Sequence, residues 1–96
     1  IMKKYPTRIP IIVNKYKYSN LPDIKNSKYL VDKDMTMSEF LYVVRNRIKL
    51  DKSESIFLII NNKLCSSNSI ISNIYKNEKN VDGFLYVIYS SENTFG

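Results

Sequence analysis

TMSEFLYVVRNRI, residues 36–48, is the stretch on which the fold turns. Thr36 and Glu39 stand three apart at its head. That is the spacing of a capping box, in which the threonine hydroxyl accepts the N–H three residues on and the glutamate reaches back to the threonine N–H. Behind the cap, Met37, Phe40, Leu41, Val44 and Ile48 recur at spacings of three, four and seven, which lays one apolar stripe along a helix. Val43 and Arg47 flank that stripe beside Phe40. An apolar flank ending in a cation either closes the edge of a core or lines a groove at its margin.

Upstream of the helix, residues 9–13 read as a strand with apolar side chains on both faces, Ile9, Ile11 and Val13 on one and Pro10 and Ile12 on the other. Such a strand needs cover on both sides, and its proline places it near a sheet edge or a strand start. Turn formers cluster around Pro22 and Asp23, and residues 28–31 form a second short strand. Downstream, residues 56–60 read as a strand covered on both faces, and Asn61 and Asn62 turn the chain. Ile70, Ile71, Ile74 and Tyr75 mark a shorter helix, Asp82 and Gly83 a turn, and residues 84–89 a last strand. Two strands, a crossing helix, a strand, a short helix and a strand give an α+β fold. The order is that of a ubiquitin-like β-grasp: a four-stranded mixed sheet whose last strand sits centrally and feeds a C-terminal tail.

Composition narrows the function. Ninety-six residues make one domain, expected as a body over residues 1–90 and a flexible tail over 91–96. With no histidine and a single cysteine, Cys65, the chain offers no Cys/His or Ser/His/Asp nucleophile, no histidine base and no zinc site. Catalysis is not expected. The formal charge of +6 is carried mostly by scattered lysines, which usually mark a solvated face. Acidic peptides and anionic membrane surfaces fit this charge better than nucleic acid, for which no basic and aromatic single-strand signature appears. The apolar runs fall far short of a membrane helix, so any membrane contact is through a surface or an attached lipid. The chain opens on Ile1 and closes on Gly96. A terminal glycine, with no Cβ, slips easily into a narrow active-site channel as an acyl donor.

Several segments resemble the autophagy ubiquitin-like modifiers, the family of autophagy-related protein 8, light chain 3 and the GABA-receptor-associated proteins. They are YPTRIPIIV at 5–13, residues 28–31, residues 40–48 with Arg45 and Arg47, residues 56–62 with the Asn61 and Asn62 pair, and residues 82–96. The resemblance implies a ubiquitin-like core whose two N-terminal family helices are largely missing from this chain. It implies that Gly96 is activated by an E1-like enzyme, passed to E2-like enzymes and joined to phosphatidylethanolamine, with Phe95 the tail residue recognised. A processing and delipidating cysteine protease is a further implied partner. No cofactor is implied beyond that covalent lipid.

Peptide docking is also implied: motifs with an aromatic residue, two spacers and an aliphatic residue, flanked by acids, add as a strand beside the second strand. By position, Pro10, Ile12, Lys28, Leu30 and Phe84 would line the aromatic pocket. Tyr29, Val31, Met35, Phe40 and Val43 would line the aliphatic one. Arg8, Lys28 and Arg47 would meet the acidic flanks. The protein would be cytoplasmic and, once lipidated, bound to an autophagosome, a vesicle or, in some protists, a relict plastid. Asp32, Cys65 and Ser66 stand where the family often has prolines, and Asn26 and Ser27 where it often has lysines, which points to altered partner selectivity. Cys65 is expected as a small residue at the core margin. The alternative function is an interaction domain that is never conjugated.

Overall fold

The computed structural model of the chain describes residues 8–51 and 53–91. Its elements follow in the order β1 (Arg8–Lys15), β2 (Lys28–Asp32), α1 (Met37–Arg47), β3 (Phe57–Ile60), β4 (Lys63–Leu64), α2 (Ile71–Glu78) and β5 (Leu85–Ser90). The sheet runs β2-β1-β5-β3-β4, with β1 and β5 parallel and the other pairs antiparallel. This is the β-grasp order with the last strand central, but the described residues form five strands instead of four. The additional strand, β4, is two residues long, too short to show the period-two pattern by which strands are read.

The capping box forms as its spacing predicts: the Glu39 N–H donates to Thr36 Oγ1 at 3.2 Å, and the Thr36 N–H donates to Glu39 Oε1 at 2.9 Å. At the other end of α1, Lys49 adopts φ 56°. The Leu50 N–H donates to Arg45 O and the Lys49 N–H to Asn46 O, which is the paired closure of a Schellman motif. A lysine takes the left-handed position that glycine usually fills, at a cost of about 1 kcal/mol. Arg45 then donates through Nη1 to Asp51 O and Glu54 O at 3.2 and 2.8 Å, tying down the loop that leads to β3.

Of the α1 stripe, Leu41 stays half-buried, whereas Met37, Ile48 and the fully enclosed Phe40 and Val44 bury as expected. They pack with Ile9, Ile11 and Val13 of β1, Val31 of β2, Leu58 and Ile60 of β3, and Leu85, Val87 and Tyr89 of β5; Ile71 and Ile74 of α2 complete the cluster. Both helix starts are joined: Thr36 bridges Ile70, and the Ile71 N–H donates to Met35 O at 2.8 Å.

Pro10 sits near the start of an interior strand, so of the two positions its residue type suggests it takes the strand start and not the sheet edge. The Val13 N–H donates to Ser27 O on the β2 side. By antiparallel alternation, Ile11 with Tyr29 and Ile9 with Val31 are then the hydrogen-bonded pairs, and Pro10 opposite Leu30 is a non-bonded one. The Pro10 nitrogen therefore faces β5, whose pairing with β1 begins one residue later at Ile11 and Leu85. No ladder bond is lost.

Asn61 and Asn62 take φ of 50° and 66°. Asn61 Nδ2 donates to Glu78 Oε1 at 2.7 Å, and Lys63 Nζ lies 2.8 Å from Glu78 Oε2. Hydrogen bonds from Lys63 and then Asn61 hold the Glu78 carboxyl below its ordinary 4.5. A depressed carboxyl contributes stability that is present above the unfolded pKa and lost as pH falls through the folded one. Stability to urea should therefore decline below about pH 4.5, and Glu78→Gln should make that acid limb shallower; equal limbs in the two proteins would show that Glu78 has no part in it.

Candidate functional site: the free edge of β2

Among the described residues, β2 pairs with β1 on one side and with no strand on the other. Its residues alternate. Tyr29 and Val31 turn toward α1, while Lys28, Leu30 and Asp32 turn to the opposite face of the sheet. Because Tyr29 and Val31 hold the hydrogen-bonded positions against β1, the backbone groups of Lys28 and Leu30 point to the open edge. Asn26 Oδ1 lies near the Lys28 N–H at a long 3.4 Å, and Leu30 is a large apolar side chain left 44% exposed.

The ten residues expected in two pockets separate onto the two faces of this edge. On the face away from α1, Leu30 stands opposite Pro10 and Lys28 opposite Ile12. Continuing the β1–β5 register by one residue sets Phe84 beside Pro10. Pro10 is buried, Ile12 and Phe84 are half-buried, and Lys28 is exposed. Tyr86 belongs to the same face, opposite Ile12 and edge-on to Phe84 with ring centroids 6.5 Å apart. The sequence reading missed it, although the alternation of Phe84, Tyr86 and Ile88 carries the signal. Its hydroxyl donates to Asp82, which raises the tyrosine's pKa and lowers that of Asp82.

On the α1 face, Val31 is 6% exposed and Phe40 not at all. These two are core, and they can shape an aliphatic pocket only from beneath. The surface left for contact is Tyr29, Met35 and Val43, all half-buried. Tyr29 packs edge-on against Phe40 at 6.0 Å, and its buried hydroxyl has no hydrogen-bond partner among the described residues. Burial raises its pKa, and the positive charge of Arg47 partly offsets this. Arg47 and Arg8 are both exposed, Arg47 at the end of α1 and Arg8 opposite Asp32 at the far end of β2.

Clefts also lie elsewhere among the described residues. One of about 150 Å³ opens between α1 and β3, lined by Met37, Leu41, Ile56, Leu58, Leu64 and Cys65 among others. A second, of about 270 Å³, borders Lys63, Cys65, Asn73 and Glu78. Cys65 is half-buried between them, and burial followed by the Glu78 charge raises its pKa, favouring the thiol over the reactive thiolate. No helix among the described residues is long and apolar enough to cross a membrane.

The model of the family described as autophagy protein Atg8, ubiquitin-like, matches residues 1–96. The chain belongs to the Atg8 family. It is 48% identical over 96 residues to autophagy-related protein 8e of Arabidopsis thaliana, covering all of this chain and 79% of that one. Autophagy-related protein 8 of Kluyveromyces marxianus is also 48% identical, with 77% of its length covered. Among solved structures, Trypanosoma brucei ATG8 superposes with a TM-score of 0.90 at 36% identity, over 99% of this chain and 82% of that one. Plasmodium falciparum Atg8, solved in complex with a Plasmodium falciparum Atg3 peptide, superposes with a TM-score of 0.85 at 33% identity, over 95% and 81%. This Atg8-family chain is thus an autophagy-related ubiquitin-like protein, with the family's fold built on the β-grasp order read from its sequence. Gly96 and Phe95, and the opening YPT of the resembling segment, lie outside the described residues.

Proposed function

We propose that this Atg8-family protein is joined through Gly96 to phosphatidylethanolamine and then recruits partners by adding their peptide segments to the free edge of β2. The observation that carries the docking half is the division of apolar surface between the two faces of that edge. In an extended chain successive side chains point to opposite faces, so residues three apart also point oppositely. An aromatic residue, two spacers and an aliphatic residue laid along β2 would therefore send the aromatic side chain toward Leu30, Ile12 and Phe84, and the aliphatic one toward Tyr29, Met35 and Val43. Arg8, Lys28 and Arg47 supply cations for acidic flanks on both sides. The Atg3 peptide seen on the Plasmodium falciparum relative supports a conjugating enzyme as one such partner.

The conjugation half is supported by family membership and by β5, the central strand, which leads directly into residues 91–96. On this reading E1-like and E2-like enzymes activate the glycine, a cysteine protease processes and releases it, and the protein moves from cytoplasm to membrane as it is lipidated. Incubation with those enzymes, ATP and phosphatidylethanolamine liposomes should produce a faster-migrating lipidated band, and deleting Gly96 should abolish it. An equal band from the deleted chain, or none from the intact one, would refute conjugation through this residue.

A further inference from the structure

The loop between β1 and β2 is fixed to the end of the sheet from which the tail departs. β1 and β5 run parallel, with Lys15 beside Tyr89, so both finish at the same end. The Tyr16 N–H donates to Tyr89 O at 2.8 Å, and the enclosed Tyr89 hydroxyl donates to Pro22 O at 2.6 Å. Leu21 is anchored in the core. What the loop presents outward is basic and aromatic. Residues 15–28 carry Lys15, Lys17, Lys25 and Lys28 against the single acid Asp23, a net charge of 4 − 1 = +3, and that acid is held by Lys15 at 3.1 Å. Tyr18 is 72% exposed in the turn that follows β1, edge-on to Tyr16 and with Lys17 Nζ 5.0 Å from its ring.

Resting on the reading that Gly96 carries the lipid, we propose that this loop is a membrane-contact surface, which lays Tyr18, Lys17 and Lys25 against an anionic phospholipid bilayer once the tail is tethered. Two physical reasons favour a bilayer over a soluble partner. Six residues follow Ser90, and at roughly 3.3–3.6 Å each they reach at most about 20 Å, so tethering holds this end of the sheet near the lipid headgroups whatever else the protein binds. Tyrosine prefers the membrane–water interface, where its ring is half-sheltered and its hydroxyl wet, and lysines beside an anionic surface gain about 1 kcal/mol each. Lys17 and Lys25 together therefore favour contact by roughly thirtyfold. Contact at this end leaves the β2 edge, along the side of the sheet, open to peptides.

The test bypasses the conjugating enzymes, so that its failure and the failure of natural conjugation are separate results. The chain contains no tryptophan, so Tyr18→Trp introduces a single reporter, and Tyr42→Trp places one on exposed α1 as a control. Each is combined with Cys65→Ser and Gly96→Cys and coupled to maleimide-bearing phosphatidylethanolamine, in phosphatidylcholine vesicles with and without phosphatidylserine. Headgroup-level spin-labelled lipid should quench Tyr18→Trp well beyond Tyr42→Trp in the anionic vesicles only. High salt or Lys17→Glu with Lys25→Glu should remove the difference. Equal quenching at the two positions, or quenching at Tyr18→Trp that ignores phosphatidylserine, would overturn the proposal. Circular dichroism of each variant establishes that the fold is intact.

Discussion

Replacing Phe40 by alanine should lower the unfolding free energy by about 3–5 kcal/mol, the range for removing a fully buried aromatic ring from a close-packed core. Phe40 has no exposed surface, and it is where the α1 stripe meets β2 through the edge-on contact with Tyr29 at 6.0 Å. A domain of this size is stable by only about 5–15 kcal/mol, so the variant should unfold at markedly lower urea, with peptide binding weakened because Tyr29 loses its support. Val43→Ala, at a half-buried position on the same helix, should cost much less stability and act mainly on the peptide. A loss below about 1.5 kcal/mol for Phe40→Ala would mean that its site collapses around the missing ring or that Phe40 is a pocket residue more than a core one.

Leu30→Ala should do the converse. At 44% exposure the side chain contributes little to the folded chain alone, but a docked aromatic side chain would cover it. Truncation removes the equivalent of about two to three methylene groups of buried surface at about 0.8 kcal/mol each, a loss of roughly fifteenfold to fiftyfold in affinity. Calorimetry with an acidic aromatic-x-x-aliphatic peptide should show this with little change in the urea midpoint. Arg47→Glu should weaken the same peptide by a smaller, salt-sensitive factor, because an exposed pair contributes at most about 1 kcal/mol. Full affinity in Leu30→Ala would remove the aromatic pocket from the face assigned to it.

Local chemistry was the legible part of this fold. The Thr36 and Glu39 spacing set the start of α1, Asn61 and Asn62 announced a turn that takes left-handed backbone, and the apolar run of residues 84–89 announced β5. Non-local facts were less so. Nothing near Tyr89 in sequence says that its hydroxyl reaches Pro22, 67 residues away, and nothing near Lys49 offers the glycine that usually marks a helix end. Pro10 suggested either an edge or a strand start because its residue type is informative about a missing N–H but silent about which neighbour that N–H would have faced. The pocket residues came from likeness of position, and position does not show which of them the core consumes. Val31 and Phe40 lie inward and Leu30 outward because of how β2 registers on β1 and under α1.

The docking proposal is tested most directly by amide hydrogen exchange along β2 with and without the motif peptide. Tyr29 and Val31 already face β1, whereas the Leu30 N–H faces the open edge, so an added strand should slow exchange at Leu30 strongly and leave its two neighbours nearly unchanged. Unaltered exchange at Leu30 under saturating peptide, with protection arising instead around the cleft by Leu41 and Cys65, would contradict it.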